Sequence, residues 1–280
     1  MGRFLNTLAY LATLLALAYG AAAMFDDDGA GRRETRRPPV APVAPVAPQR
    51  ADDPVVVVEV PAKKSSVGTA FAIADGWWLT ARHVVDQCAL VGLLTSAKKG
   101  VRVRRTLLHP SADLALLAAN LRPDTLPLSG TMPARGSDGF SIGYPQGRRG
   151  EVHASLLGRV RLRSRGRYNI EEAALFWAER QRVPAKLRAL GGLSGGPMLD
   201  PQGQVVGVLV AASRRRGRVT TTHPNTALRL LSDEGVVPAG GARRNLSAGN
   251  FSREGERLRR DLTIAKVFCE ARRARRRPRL

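Results

Sequence analysis

Three segments carry residue types able to do chemistry. GTAFAIADGWWLTARHVVDQC (68–88) holds His83, HPSADLALL (109–117) holds Asp113, and GGLSGGPMLDPQGQVVGVLV (191–210) holds Ser194. A serine hydroxyl is barely ionised near neutral pH and needs an adjacent base to become a nucleophile. An imidazole is the side chain suited to that task, and it can later return the proton to a leaving group. Taken singly, each residue has a plainer reading: a structural histidine after a strand, a turn aspartate, a serine in a glycine-rich turn. The other histidines, His109, His153 and His223, lack such surroundings and read as structural or surface groups. Two cysteines, Cys88 and Cys269, are too few for a structural zinc cage of three or four thiolates, so no metal is expected.

The rest of the chain must position these residues. It has 280 residues, 44% hydrophobic and 24% charged, values that exclude wholesale disorder and a fibrous class. Lys and Arg number 45 against 23 Asp and Glu, a net charge of +22, with only six of the 45 being Lys. Residues 236–280 hold 13 of those bases and four acids, and the last ten residues hold six Arg. The excess is therefore diffuse in the middle and dense in the tail ARRARRRPRL (271–280), read as a solvated basic tail. No interleaving of Arg with aromatics and no zinc spacing makes it a sequence reader, so no specific nucleic acid is expected. Contact with an anionic surface through the tail fits the charge as well as DNA does.

Residues 4–25 form 22 positions without a charge, preceded by Arg3, with Ala21–Ala23 offering a cleavage site. Residues 1–25 are read as a signal peptide or, if uncleaved, a signal anchor long enough to span a bilayer; a buried helix is the alternative. Export places the chain in the periplasm or outside the cell, with residues 4–25 as a candidate inner-membrane tether. Residues 26–53, with their repeated Ala-Pro-Val, read as a disordered or extended spacer. In an exported chain, the even cysteine count points to a Cys88–Cys269 disulfide, with two buried free thiols as the alternative.

From residue 54 the texture changes to short apolar runs separated by Gly, Pro, Asp and Ser, the pattern of an all-β sandwich or barrel. Helices are expected at Thr226–Leu231 and, from the spacing of Ile170, Ala173, Ala174 and Trp177, over Ile170–Trp177. TIAKVFC (263–269) reads as a final strand or a short docking segment, and 238–252 as loop.

In their order and surroundings, the three motifs resemble the trypsin/chymotrypsin-like serine peptidases, and among them the bacterial HtrA-like domains. PNTALRLL (224–231) also resembles the segment that follows the second barrel there. The resemblance covers 54–235 and implies an all-β fold of two antiparallel six-stranded barrels, 54–130 and 131–235, with the catalytic cleft between them. Residues 236–280 are then a C-terminal extension, and no PDZ-sized region follows the protease domain. The resemblance implies Ser194 as nucleophile, His83 as base and Asp113 as the group that orients the imidazole, in the chymotrypsin order. It implies an oxyanion hole from the N–H groups of Gly192 and Ser194. Val210, Ala211 and Ala212 would form the strand beside a protein or peptide substrate. Leu193 stands where digestive enzymes carry an Asp that pairs with a new N-terminus, so activation by that ion pair is not expected. Arg188 would occupy the base of the P1 pocket and repel Lys or Arg. The expected function is an exported serine endopeptidase acting through an acyl-enzyme, without cofactor. The rivals are a silent peptide-binding relative and a basic envelope- or nucleic-acid-binding protein.

Overall fold

A computed structural model describes residues 50–213 and 216–271. Residues 1–49, which include the segment read as a signal and most of that read as a spacer, residues 214 and 215, and residues 272–280 lie outside the described residues. Thirteen strands and three α-helices follow one another in the described chain. The strands are β1 (Val55–Val60), β2 (Ser66–Ala74), β3 (Trp77–Thr80), β4 (Cys88–Leu94), β5 (Gly100–Leu108), β6 (Ala115–Ala119), β7 (Asp138–Gly143), β8 (Gly150–Gly166), β9 (Ile170–Val183), β10 (Pro197–Leu199), β11 (Val205–Ser213), β12 (Arg218–Thr222) and β13 (Ile264–Ala271). The helices are α1 (Arg82–Val85), α2 (Pro224–Asp233) and α3 (Phe251–Arg260).

The first barrel closes in the order β13-β2-β3-β6-β5-β4, every pair antiparallel. In the second sheet the pairings run β8-β7-β10-β11-β12-β9 and return from β9 to β8, so six antiparallel strands again form a ring. The expected all-β pair of six-stranded rings is present, but two segments sit elsewhere than expected. β1 takes no part in the first barrel; it adds in parallel to the outer end of β8, Val55 opposite Arg161. The sixth strand of the first barrel is instead β13, inserted between β2 and β4. The barrel limits 54–130 therefore give way, because the ring cannot close without a strand from the C-terminal region.

The expected helix over Ile170–Trp177 is strand β9. Its apolar spacing fits about two helical turns, but thirteen ladder pairs to β8 decide its conformation, and Leu175 and Ala178 are buried as well as Ala174 and Trp177. β8 supplies the complementary period of two: Val160, Leu162 and Ser164 are buried, while Arg161 and Arg163 between them pair with Glu171. The expected helix at Thr226–Leu231 is present as α2, capped by the His223 ring, which accepts the Asn225 N–H. The stretch read as loop runs into α3, which Arg259 anchors by a buried ion pair to Glu151.

Phe71, Ile73 and Leu79 of the first barrel share one apolar cluster with Phe140, Ile142 and Leu199 of the second and Phe251 and Leu258 of α3. Cys88 and Cys269 form a disulfide with Cα atoms 5.6 Å apart, tying β13 to β4. The bridge closes a loop of 181 residues, for which the chain-entropy model gives about 5 kcal/mol at most. Replacing both cysteines by alanine should therefore remove a large part of the folding free energy, read as a lower urea midpoint. An unchanged midpoint would mean that the sixth strand needs no covalent tie.

Candidate active site

β3 delivers the chain into α1, and His83 is its second residue. Asp113 stands in the loop before β6 and is 2% exposed. Its Oδ1 accepts the His83 backbone N–H at 2.8 Å, and its Oδ2 faces His83 Nδ1 at 2.7 Å. The carboxylate therefore bonds both the backbone and the ring of one residue. Burial alone would push the Asp113 carboxyl up, but the His83 charge and hydrogen bonds, with the Tyr168 hydroxyl, hold it below the ordinary value.

Ser194 lies in the turn before β10, and that turn is seated on the first barrel by Thr69. The Thr69 N–H donates to the Ser194 carbonyl at 2.9 Å, and its hydroxyl donates to the Gly192 carbonyl at 2.8 Å. Gly195 has φ +84°, and a Cβ there would collide with the Thr69 carbonyl and the Thr80 hydroxyl, so only glycine fits. Within 192–196, the N–H groups of Leu193, Gly195 and Gly196 are bonded to Leu190, Leu209 and Leu193 carbonyls. Those of Gly192 and Ser194 have no partner among the described residues.

His83, Asp113, Ser194 and Leu209–Ala212 line one cleft of about 660 Å³. The side chains of His83 and Ser194 face it without a direct hydrogen bond between them among the described residues. The expected substrate-strand residues Val210, Ala211 and Ala212 are thus on the cleft wall. Beyond Val208, the edge of β11 opposite β12 has no strand partner among the described residues. Arg188, expected in the pocket, is not there. Leu187 and Leu190 on either side are buried, Arg188 is turned out and exposed, and Arg182 Nη1 ties down the Leu187 and Arg188 carbonyls at 2.9 and 3.4 Å. Leu193 is fully buried in an apolar cluster with Leu190 and Met198, a position with no room for a charge.

The family model for the trypsin-like peptidase domain matches residues 68–208. The chain belongs to this family. Two curated relatives of this trypsin-like peptidase chain are the serine proteases Rv3671c and MT3772 from two strains of Mycobacterium tuberculosis. Each is 29% identical over 190 residues, covering 63% of this chain and 47% of its own length. The chain thus spans about half the length of the curated relatives it matches. The crystal structure of Rv3671c in its active form superposes with a TM-score of 0.52 at 22% identity, over 71% of this chain and all but 1% of that one. An inactive form of the same protease superposes with a TM-score of 0.50, covering 61% of this chain and 85% of that one. These likenesses show the shared fold.

Several residues around the trypsin-like site have no sequence signal of their own. Besides Thr69, Lys63 donates to the His83 and Val84 carbonyls at 3.1 and 2.6 Å. Burial, with the nearby Arg167, pushes its amine down to about 8. Glu172 of β9 is 7% exposed, and its Oε1 accepts the Asp113 N–H at 2.8 Å. Its Oε2 has no partner among the described residues. Burial pushes this carboxyl up to about 8, and the neighbouring Asp113 charge adds to the effect. The three histidines outside the motifs bond locally: His109 Nδ1 with Ser111 N–H, His153 with Asp138, and His223 with Asn225 N–H.

Glu172 makes a prediction for stability. Between about 4.5, its unperturbed value, and about 8, the unfolded chain has released this proton while the folded chain keeps it. The folded state binds more protons there, so this group lowers stability as pH rises through that window. Glu172→Gln keeps an acceptor for Asp113 N–H and cannot ionise. The thermal midpoint of the variant should rise relative to the parent between pH 5 and pH 8, and the two curves should run parallel above that. Curves parallel throughout would mean that Glu172 is ionised in the fold.

Proposed function

We propose that the chain is an exported serine endopeptidase that hydrolyses peptide bonds through an acyl-enzyme on Ser194. The observation that carries this is the paired contact of Asp113 with His83 on the wall of the cleft that Ser194 also lines. An ionised Asp113 only accepts, so His83 Nδ1 must carry a proton, and Nε2 is left with its lone pair free. Nε2 can then take the Ser194 proton as Oγ attacks a substrate carbonyl, and hand it to the departing amine. The two unpartnered N–H groups of Gly192 and Ser194 suit the oxyanion formed in between, each donor contributing roughly 3–4 kcal/mol to the barrier drop. Water, activated by the same imidazole, would release the acyl group.

The substrate class follows from the cleft. The open edge of β11 can take an extended peptide as an added strand. The wall formed by Leu190, Gly191 and Leu209–Ala212 is apolar; the carboxylates that line the same cleft, Glu59 and Asp113, belong to β1 and to the loop before β6. Burying a small or medium aliphatic P1 side chain there gains roughly 1.5–3 kcal/mol, while a Lys or Arg would lose its hydration without a partner. Export rests on residues 1–25 and is consistent with the disulfide. Among the described residues, no helix is long and apolar enough to cross a membrane.

A fluorophosphonate probe tests the reaction. We expect a single adduct on the peptide containing Ser194, and a mixed peptide library cut after Ala, Val or Leu. An adduct on another serine would sink the reading. Dominant cleavage after Arg or Lys would overturn the pocket and leave the nucleophile standing.

A further inference from the structure

The hairpin of β8 and β9 outgrows its barrel. β8 pairs with β7 only over its first six residues, and β9 pairs with β12 only over Ala174–Ala178. From Gly158 onward β8 has only β9 and β1 as partners. β1, the outer part of β8 and the start of β9 therefore form a three-stranded arm. Its inward residues Val56, Val58, Val160, Leu162 and Ala174 belong to the same apolar cluster as Val84 and Val85 of α1.

The tip of this arm, residues 167–169, reaches the first barrel. The Tyr168 hydroxyl donates to Asp113 Oδ1 at 2.9 Å. The Tyr168 ring lies beneath the Arg82 guanidinium, 4.5 Å from its centroid, and Arg82 precedes His83 on α1. Arg167 Nη2 donates to the His83 carbonyl at 2.9 Å. Asp113 Oδ1 thus has two donors, one from the backbone of His83 and one from the opposite barrel. The phenol is a dependable donor, because burial and the Asp113 charge push its pKa far above the ordinary phenol value.

We propose that Tyr168 is a positioning residue for peptide hydrolysis, which locks the Asp113 carboxylate from outside the first barrel so that the reacting set forms only with the arm seated. This rests on the reading of Asp113, His83 and Ser194 given above. The physical reason is geometric. A carboxylate held by His83 alone can rotate with the imidazole it should orient. Tyr168, which donates to Oδ1 from outside His83, removes that freedom, so Oδ2 stays in the plane that sets the Nδ1 proton. The device is independent of substrate contact, since Tyr168 acts behind His83 and the cleft wall is formed by other residues.

Tyr168→Phe deletes one oxygen and keeps the ring beneath Arg82. We expect kcat on a cleaved peptide to fall about 10- to 100-fold, the loss of one charge-assisted hydrogen bond. KM should stay within about twofold, and the thermal midpoint should fall by only a few degrees, because the buried carboxylate loses one donor in the resting fold. The same change introduced into Asp113→Asn should alter kcat by less than about twofold, because the carboxylate on which Tyr168 acts is gone. A merely structural tyrosine would lower kcat by the same factor in both backgrounds, and that result overturns the proposal. Parental kcat in Tyr168→Phe overturns it too. Parental kcat in Asp113→Asn is a different failure, that of the reading on which the proposal rests.

Discussion

Ser194→Ala should lower kcat by about 10⁶-fold while leaving KM and the fold nearly unchanged. The size follows from what is removed. On the proposed mechanism no acyl-enzyme can form without Oγ, and His83 has no proton to move. The two amide donors at Gly192 and Ser194 keep their positions, because the turn is fixed by Thr69 and by the bonds of Leu193, Gly195 and Gly196, none of which involves Oγ. A residual acceleration of about 10³ over water should therefore survive, from the oxyanion donors and substrate binding alone. Fluorophosphonate labelling should vanish completely. Turnover within tenfold of the parent would identify the wrong nucleophile, whatever the fold.

The parts of the candidate site that the sequence singles out are those whose proposed chemistry is local. Ser194 stands among four glycines within five positions on either side, and His83 follows an apolar strand run, so type and neighbourhood point the same way. Residues whose role arises only on folding left no such mark. Tyr168 lies 55 positions from Asp113, and Glu172 lies 59 away; both arrive through the register of the β8–β9 hairpin. The same register makes Ile170–Trp177 a strand, where about two helical turns of apolar spacing point to a helix because local pattern cannot show a ladder partner. β13 poses the converse difficulty. Its alternation marks a strand, but its place between β2 and β4 depends on closing a ring with residues about 170 to 200 positions earlier. Arg188 was misplaced because a loop position carries no period, and the buried leucines on either side of it decide its direction. The cysteine pairing was legible because two residues allow one intramolecular bridge.

His83→Ala and Asp113→Asn should show how far the three residues act as one. His83→Ala removes the imidazole that Asp113 holds on the cleft wall and should cost about as much as Ser194→Ala. Asp113→Asn should cost about 10⁴-fold for a different reason. An amide in that place can present its N–H to Nδ1, which then accepts, and the ring proton moves to Nε2, where the lone pair is needed. The contacts that fix the Asp113 backbone are untouched by this change, including the Glu172 carboxyl on its N–H at 2.8 Å, so the loss reports tautomer and charge, not collapse of the loop. The combination of Ser194→Ala with His83→Ala should be no slower than Ser194→Ala alone within about threefold, since neither residue has work to do without the other. Independent contributions would multiply to about 10¹²-fold, more than the total of about 10⁹-fold implied by a 10⁶-fold loss that leaves about 10³ over water. A double variant measurably slower than Ser194→Ala would therefore mean that His83 supports the residual activity by a separate route, such as direct contact with the substrate.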